Sequence, residues 1–178
     1  GWLDNDAVGI VGGLRDGPVV ELMSMWTSPG LRRRGLGRRL VEATRAAMLA
    51  GIAAAVPGNH IGDVSAAVED VALAAGLGVV RPFVGHGIGE QFHTDIQVLH
   101  YYDSRASVII RPGMTFTIEP MITLGTINYK IWDDDWTAVT SDVKRTAQFE
   151  NTILVTADGT DVLTGGPGTA SPNAPWLR

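Results

Sequence analysis

The stretch Gly85-His86-Gly87-Ile88-Gly89-Glu90-Gln91-Phe92-His93 decides how this chain of 178 residues is read. An imidazole between two glycines lies where the backbone can turn sharply and nothing bulky shields the ring. The second imidazole, His93, is placed to touch a substrate. Two carboxylates further on complete the pattern. Met114, Phe116 and Ile118 alternate with Thr115, Thr117 and Glu119, so Glu119 falls on the polar face of a strand. Pro120 then removes a backbone donor and ends that strand near the carboxylate. From Ala147 to Val155 the pattern recurs, with Phe149, Ile153 and Val155 on one face and Gln148, Glu150 and Thr152 on the other. One imidazole and two glutamates gathered by a sheet suit a divalent metal. Three protein ligands leave a coordination position open for water, which points to hydrolysis.

Composition narrows the chemistry. The chain is 45% hydrophobic and 19% charged, ordinary for a globular protein, and its net charge of −5 argues against a nucleic-acid-coating role. Having no cysteine, it can hold no disulfide, thiolate metal site or cysteine nucleophile. A metal would need His, Asp and Glu, which suits Zn, Mn, Fe or Co. No apolar run approaches the ~20 residues of a membrane span, so a cytoplasmic location is the expectation. The chain opens on Gly1 in mid-pattern, as expected of a fragment or a processed product.

Around the central stretch the elements are legible. Val8–Val11, a turn at Arg15-Asp16-Gly17-Pro18 and Val19–Trp26 predict a hairpin over residues 8–26. Leu36, Leu40, Thr44 and Met48 recur every four residues and predict a helix over about 35–50. Ile61, Val64, Val68, Val71 and Ala75 predict a second helix, closed by Gly76 and Gly78, and Asp63 belongs to its first turn. Leu77–Val80 reads as a strand, Arg111-Pro112-Gly113 as a turn and Asp158-Gly159 as a hairpin turn. The Gly-, Pro-, Ser- and Asn-rich tail over 165–178 is expected to be disordered.

These residues carry a resemblance. Gly-His-Gly-Ile-Gly-x-x-Phe-His at 85–93 is followed by Val98-Leu99-His100-Tyr101 and by Pro112-Gly113-Met114-Thr115-Phe116-Thr117-Ile118-Glu119-Pro120-Met121. Trp136-Thr137 and Ala147-Gln148-Phe149-Glu150 come next. Residues 44–164 resemble the second half of a type I methionine aminopeptidase. The resemblance implies an incomplete α+β pita-bread fold that removes methionine from the N-terminus of a peptide or nascent protein, with no nucleic acid or membrane partner. It implies His86, Glu119 and Glu150 as metal ligands and Glu119 as a proton relay to the leaving amine. His93 would contact the scissile amide, and Phe92 and Trp136 would lie near the methionine pocket. The family has Asp-Gly before the tryptophan where this chain has Asp134-Asp135, and His where it has Asn151. Asp135 costs more than glycine if that turn needs a positive φ. Asn151 is assigned to the face away from Glu150. The family's two further aspartate ligands have no counterpart here, so one metal ion per chain is the most expected.

Residues 1–43 read differently. Val20-Glu21-Leu22-Met23-Ser24-Met25-Trp26, Pro29 and the loop of Arg32, Arg34, Gly35 and Gly37 resemble a fragment of a GCN5-related N-acetyltransferase. In that family such a loop at a helix start cradles the pyrophosphate of acetyl-CoA. An acetyl-CoA-binding remnant is therefore the alternative function, and a non-catalytic fragment the third.

Overall fold

The computed structural model describes residues 36–164 and, before them, the backbone of four short strands. Strands β1 (Trp2–Leu3) and β2 (Asp6–Ala7) pair antiparallel, as do β3 (Val11–Arg15) and β4 (Val20–Ser24). The expected hairpin is present, but its first strand runs later than Val8–Val11 and extends to Arg15, opposite Val20. Arg32, Arg34 and Gly35 of the acetyl-CoA-type loop lie outside the described residues, as does the tail from residue 165.

Two helices form the spine. Helix α1 (Leu36–Ala54) runs four residues beyond the 50 expected from its apolar repeat, because alanines and Ile52 carry it on. Gly51 inside it has a packing reason. A Cβ there would sit 2.7 Å from a Val68 methyl of α2 (Ile61–Ala74), so the missing side chain sets how closely the helices cross. The start of α2 is capped as Asp63 suggested, its carboxylate accepting the His60 N–H at 2.7 Å. At its end Gly76 adopts φ +71°, with Leu77 N–H donating to the Ala72 carbonyl and Gly76 N–H to that of Leu73. That is a Schellman closure, which the left-handed glycine makes cheap.

The rest is sheet. Strands β5 (Gly78–Val79), β6 (Gly85–Gly87), β7 (Thr94–Val98), β8 (Thr115–Ile118) and β9 (Met121–Thr123) come first. After them run β10 (Tyr129–Ile131), β11 (Ala138–Thr140), β12 (Thr146–Gln148), β13 (Asn151–Val155) and β14 (Thr160–Val162). They form a five-stranded antiparallel sheet in the order β14-β13-β8-β6-β7, a three-stranded sheet in the order β12-β9-β5, and a separate β10–β11 hairpin. The helices cover both sheets. Ala47, Met48, Ile52, Ile61, Val64 and Val68 meet Val98, Phe116, Ile118, Ile153 and Val155 of the larger sheet in one core. Leu40 and Ala72 meet Val79, Ile122 and Ala147 of the smaller sheet in another. The backbone of β4 runs alongside β12. Among the described residues no helix is long and apolar enough to cross a membrane.

One expectation is corrected. The segment from Ala147 to Val155 is not a single strand: β12 pairs with β9 of the smaller sheet and β13 with β8 of the larger, and Phe149-Glu150 bridges them. Alternation survives within each piece, since Ile153 and Val155 are buried and Asn151 shares their side, away from Glu150. The signalled turns are present. Met114 N–H donates to the Arg111 carbonyl across Pro112 and Gly113, the latter at φ +91°, and Thr156 N–H donates to Gly159.

Two non-glycine residues hold a left-handed backbone, Asp135 (φ +55°) and Val143 (φ +56°). The turn at Asp135 does require the positive φ that makes aspartate dearer than glycine. Val143 is the more strained, because branching at Cβ crowds the carbonyl in that region. Its side chain is 49% exposed, so little packing compensates. Val143→Asn is expected to raise the unfolding free energy by about 1 kcal/mol, measured by urea denaturation; an equal or lower stability would show that the turn is not strained.

Candidate active site

The site lies on the face of the large sheet turned away from the helices. Phe116 and Ile118 of β8 point into the core, which places Thr117 and Glu119 on the opposite face. Gly87 of β6 pairs with Phe116, setting His86 beside Thr117. The glycines flanking His86 let β6 lie close to its two neighbours, β8 and β7, rather than making the expected sharp turn. A Cβ at Gly85 would strike the Thr117 carbonyl, and one at Gly87 the Thr94 hydroxyl. A β-bulge at His86/Gly87, against β7, further sets the ring.

His86 and Glu119 meet. Their Nε2 and Oε1 atoms are 3.7 Å apart, and both side chains are more than four-fifths buried. On the far side of the ring, His86 Nδ1 lies 3.1 Å from the Gly87 carbonyl. A proton on Nδ1 satisfies that contact, and Nε2 then turns its lone pair toward the carboxylate. Thr117 Oγ1 donates to Glu119 Oε1 at 2.7 Å and accepts the His86 N–H at 2.9 Å. Gln148 Nε2 donates to Glu119 Oε2 at 3.3 Å. Burial raises the Glu119 pKa above the ordinary carboxylate value, and the Glu150 charge adds to this; the Thr117 hydrogen bond and His86 oppose it.

His93 and Phe92 join them. The His93 ring centroid is 4.1 Å from that of His86, Phe92 is 5.2 Å from His86, and the two neighbours are 4.6 Å apart. Both are exposed, Phe92 by 67%, as groups that meet a ligand from solvent would be. Trp136 stands apart on the connection between β10 and β11, 88% exposed, where Asp134 holds its backbone N–H. Glu150 is exposed and reaches Glu119 through its charge.

The donor chemistry suits a divalent cation. An imidazole nitrogen and a carboxylate oxygen 3.7 Å apart can share one ion at bond lengths of about 2 Å. The third donor does not close on them: among the described residues no group of three or more His, Asp or Glu side chains is arranged to hold a metal.

Sequence reasoning gave no role to His100. It is 1% exposed, and its Nε2 accepts the Glu119 backbone N–H at 3.0 Å, so the ring proton is on Nδ1. Its signal was a polar residue inside the apolar run Val98-Leu99-His100. Burial pushes its pKa down to about 4; Nδ1 lies near the Phe83 carbonyl without full hydrogen-bond geometry and opposes this only in part.

A scan against known families matches residues 27–157 to metallopeptidase family M24. The chain belongs to this family. It is 50% identical over 127 residues to methionine aminopeptidase 2 of Mycobacterium tuberculosis, covering 71% of this chain and 45% of that protein. It is 49% identical over 127 residues to methionine aminopeptidase B of Synechocystis, covering 71% and 46%. The chain thus spans about half the length of the curated relatives it matches. Among solved structures, methionine aminopeptidase from Thermotoga maritima superposes with a TM-score of 0.72 at 35% identity, covering 83% of this chain and 59% of that one. A prolidase from Pyrococcus horikoshii shares the fold at a TM-score of 0.57 and 21% identity. The α+β pita-bread expectation therefore holds for the described part. The match starts at residue 27 and takes in the Arg32–Gly37 segment; the acetyltransferase resemblance of residues 1–43 rests on the sequence alone.

His100 gives a pH prediction. Its folded pKa of about 4 lies below the ordinary 6.5, so its stabilising effect is complete above pH 6.5 and is lost as pH falls from 6.5 to 4. The loss is about 3 kcal/mol at 1.36 kcal/mol per pKa unit. The melting temperature of the metal-free protein is expected to fall over that window, and less steeply in His100→Gln, which keeps an acceptor for the Glu119 N–H. Parallel curves for the two proteins would contradict it.

Proposed function

We propose that this chain acts as a metal-dependent aminopeptidase that removes methionine from the N-terminus of a peptide or nascent protein in the cytoplasm. One observation carries the reading. His86 Nε2 faces Glu119 Oε1 at 3.7 Å while the other ring nitrogen lies at the Gly87 carbonyl, and an imidazole nitrogen and a carboxylate oxygen so placed can share a cation between them. Family membership and the names of the relatives support it.

His86, Glu119 and Glu150 would hold one divalent ion, Co, Mn, Fe or Zn, with Glu150 moving in as the ion neutralises the Glu119–Glu150 repulsion. A bound ion supplies Lewis-acid polarisation of the scissile carbonyl and of water. Glu119, its pKa raised by burial, is suited to take a proton from the attacking water and hand it to the leaving amine. His93, exposed beside His86, is placed to donate to the oxygen of the tetrahedral intermediate. Phe92 offers an apolar face to a methionine side chain, and Trp136 would have to fold over from its exposed position to join it.

Turnover of a methionyl tripeptide by the purified chain with added Mn or Co tests the reading. Glu119→Gln is expected to lower kcat by about 10²–10⁴-fold, and His86→Ala and Glu150→Ala to abolish metal-dependent turnover. Full activity in either alanine variant would refute the site. Metal analysis after dialysis should give no more than one ion per chain; two tightly held ions would contradict the assignment.

A further inference from the structure

The Thr117 hydroxyl occupies a position that the proposed chemistry leaves unused. The residue is 1% exposed, and its Oγ1 touches both halves of the site. It accepts the His86 backbone N–H at 2.9 Å and lies 2.7 Å from Glu119 Oε1. A hydroxyl has one proton to give. Its other acceptor within reach, the His86 carbonyl, is at 3.4 Å, so the proton goes to the carboxylate. A threonine hydroxyl can bond a nearby backbone group; this one gives its proton to an ionisable side chain.

We propose that Thr117 is a positioning residue: its hydroxyl, tied to the backbone of His86, fixes the rotamer of Glu119 and thereby the separation of Glu119 Oε1 from His86 Nε2. The proposal rests on the metal-hydrolase reading for its functional meaning, but the geometric claim stands by itself. Glu119 has two torsions between its Cα and Cγ and a third that turns the carboxylate, and free rotation would carry Oε1 away from the ring. Two contacts oppose that rotation. Gln148 reaches the other oxygen from the neighbouring sheet at 3.3 Å and the Glu119 carbonyl at 3.4 Å, so both of its contacts are long. The Thr117 contact is the shorter and comes from the same strand as Glu119. Because Thr117 is also bonded to His86, a shift of β6 against β8 moves the hydroxyl with the histidine. The two donors are thereby kept in register by one atom.

Thr117→Val keeps the shape and removes the hydroxyl; Thr117→Ser keeps the hydroxyl. Mn²⁺ binding by calorimetry should weaken 10- to 100-fold in T117V, the range for losing a partner that orients a metal ligand, and stay within about threefold of wild type in T117S. Crystal structures of the metal-free proteins give a second readout. The Glu119 carboxylate should leave its place beside His86 in T117V and keep it in T117S. Wild-type affinity in T117V, or a carboxylate that does not move, would overturn the proposal. If the unaltered chain binds no Mn²⁺, the metal reading fails, and the metal-free structures still decide the role of Thr117. Should T117V not fold, Thr117→Ala takes its place in both measurements.

Discussion

The close approach of β6 to β8 is the constraint on which the rest of this structure depends. The strands can meet only because Gly85 carries no side chain where the Thr117 carbonyl stands, and Gly87 in the same way leaves room for the Thr94 hydroxyl of β7 on the other side. That approach puts His86 level with Thr117 and within reach of Glu119. It also lets the opposite face of β8, Phe116 and Ile118, sink fully into the helices. One strand thus serves two environments: its apolar side anchors the core and its polar side carries the site. A side chain at either glycine would disturb both.

The helices supply the rigidity behind that strand. Gly51 lets α1 press against Val68 of α2, and the pair spans the boundary between the two sheets. Residues late in α1 and early in α2 pack on the five-stranded sheet, while Leu40 and Ala72 pack on the three-stranded one. This matters for the site because Glu119 comes from the larger sheet while Gln148, which touches it, comes from the smaller. A helix pair that holds both sheets therefore also holds both sides of the carboxylate.

How much of this was legible follows from what a sequence encodes locally. Both helices were readable from their apolar spacing, and the ends of the second from Asp63 and Gly76, because caps and periodicity act within a few residues. The two faces of β8 were readable for the same reason, and they gave Glu119 its neighbour Thr117. The break at Phe149-Glu150 was not, since a strand that changes sheets keeps its alternation on either side of the change. Nor was the burial of Thr117 to 1%, because the polar face of a strand is covered only by residues distant in sequence. His100 escaped for a third reason. Its partner is a backbone N–H nineteen residues away, and no side-chain pattern announces such a bond.

The energetics of Glu119 bind these observations together. A carboxylate sunk in the sheet, beside a second carboxylate, is unfavourable by burial and by charge, and its raised pKa records that. The surrounding structure nonetheless holds it: Thr117 and Gln148 donate to its oxygens, and His100 accepts its backbone N–H. The His100 bond would serve any residue at that position, but two side-chain donors drawn from separate segments would be an extravagant way to stabilise a fold, since an apolar residue in the same place would need neither. They make sense if the charge itself is what must be kept, in one orientation, against its own tendency to protonate or rotate into water. A cation shared with His86 would remove the repulsion, so the strain in the free chain has the sign expected of a site shaped for its ligand.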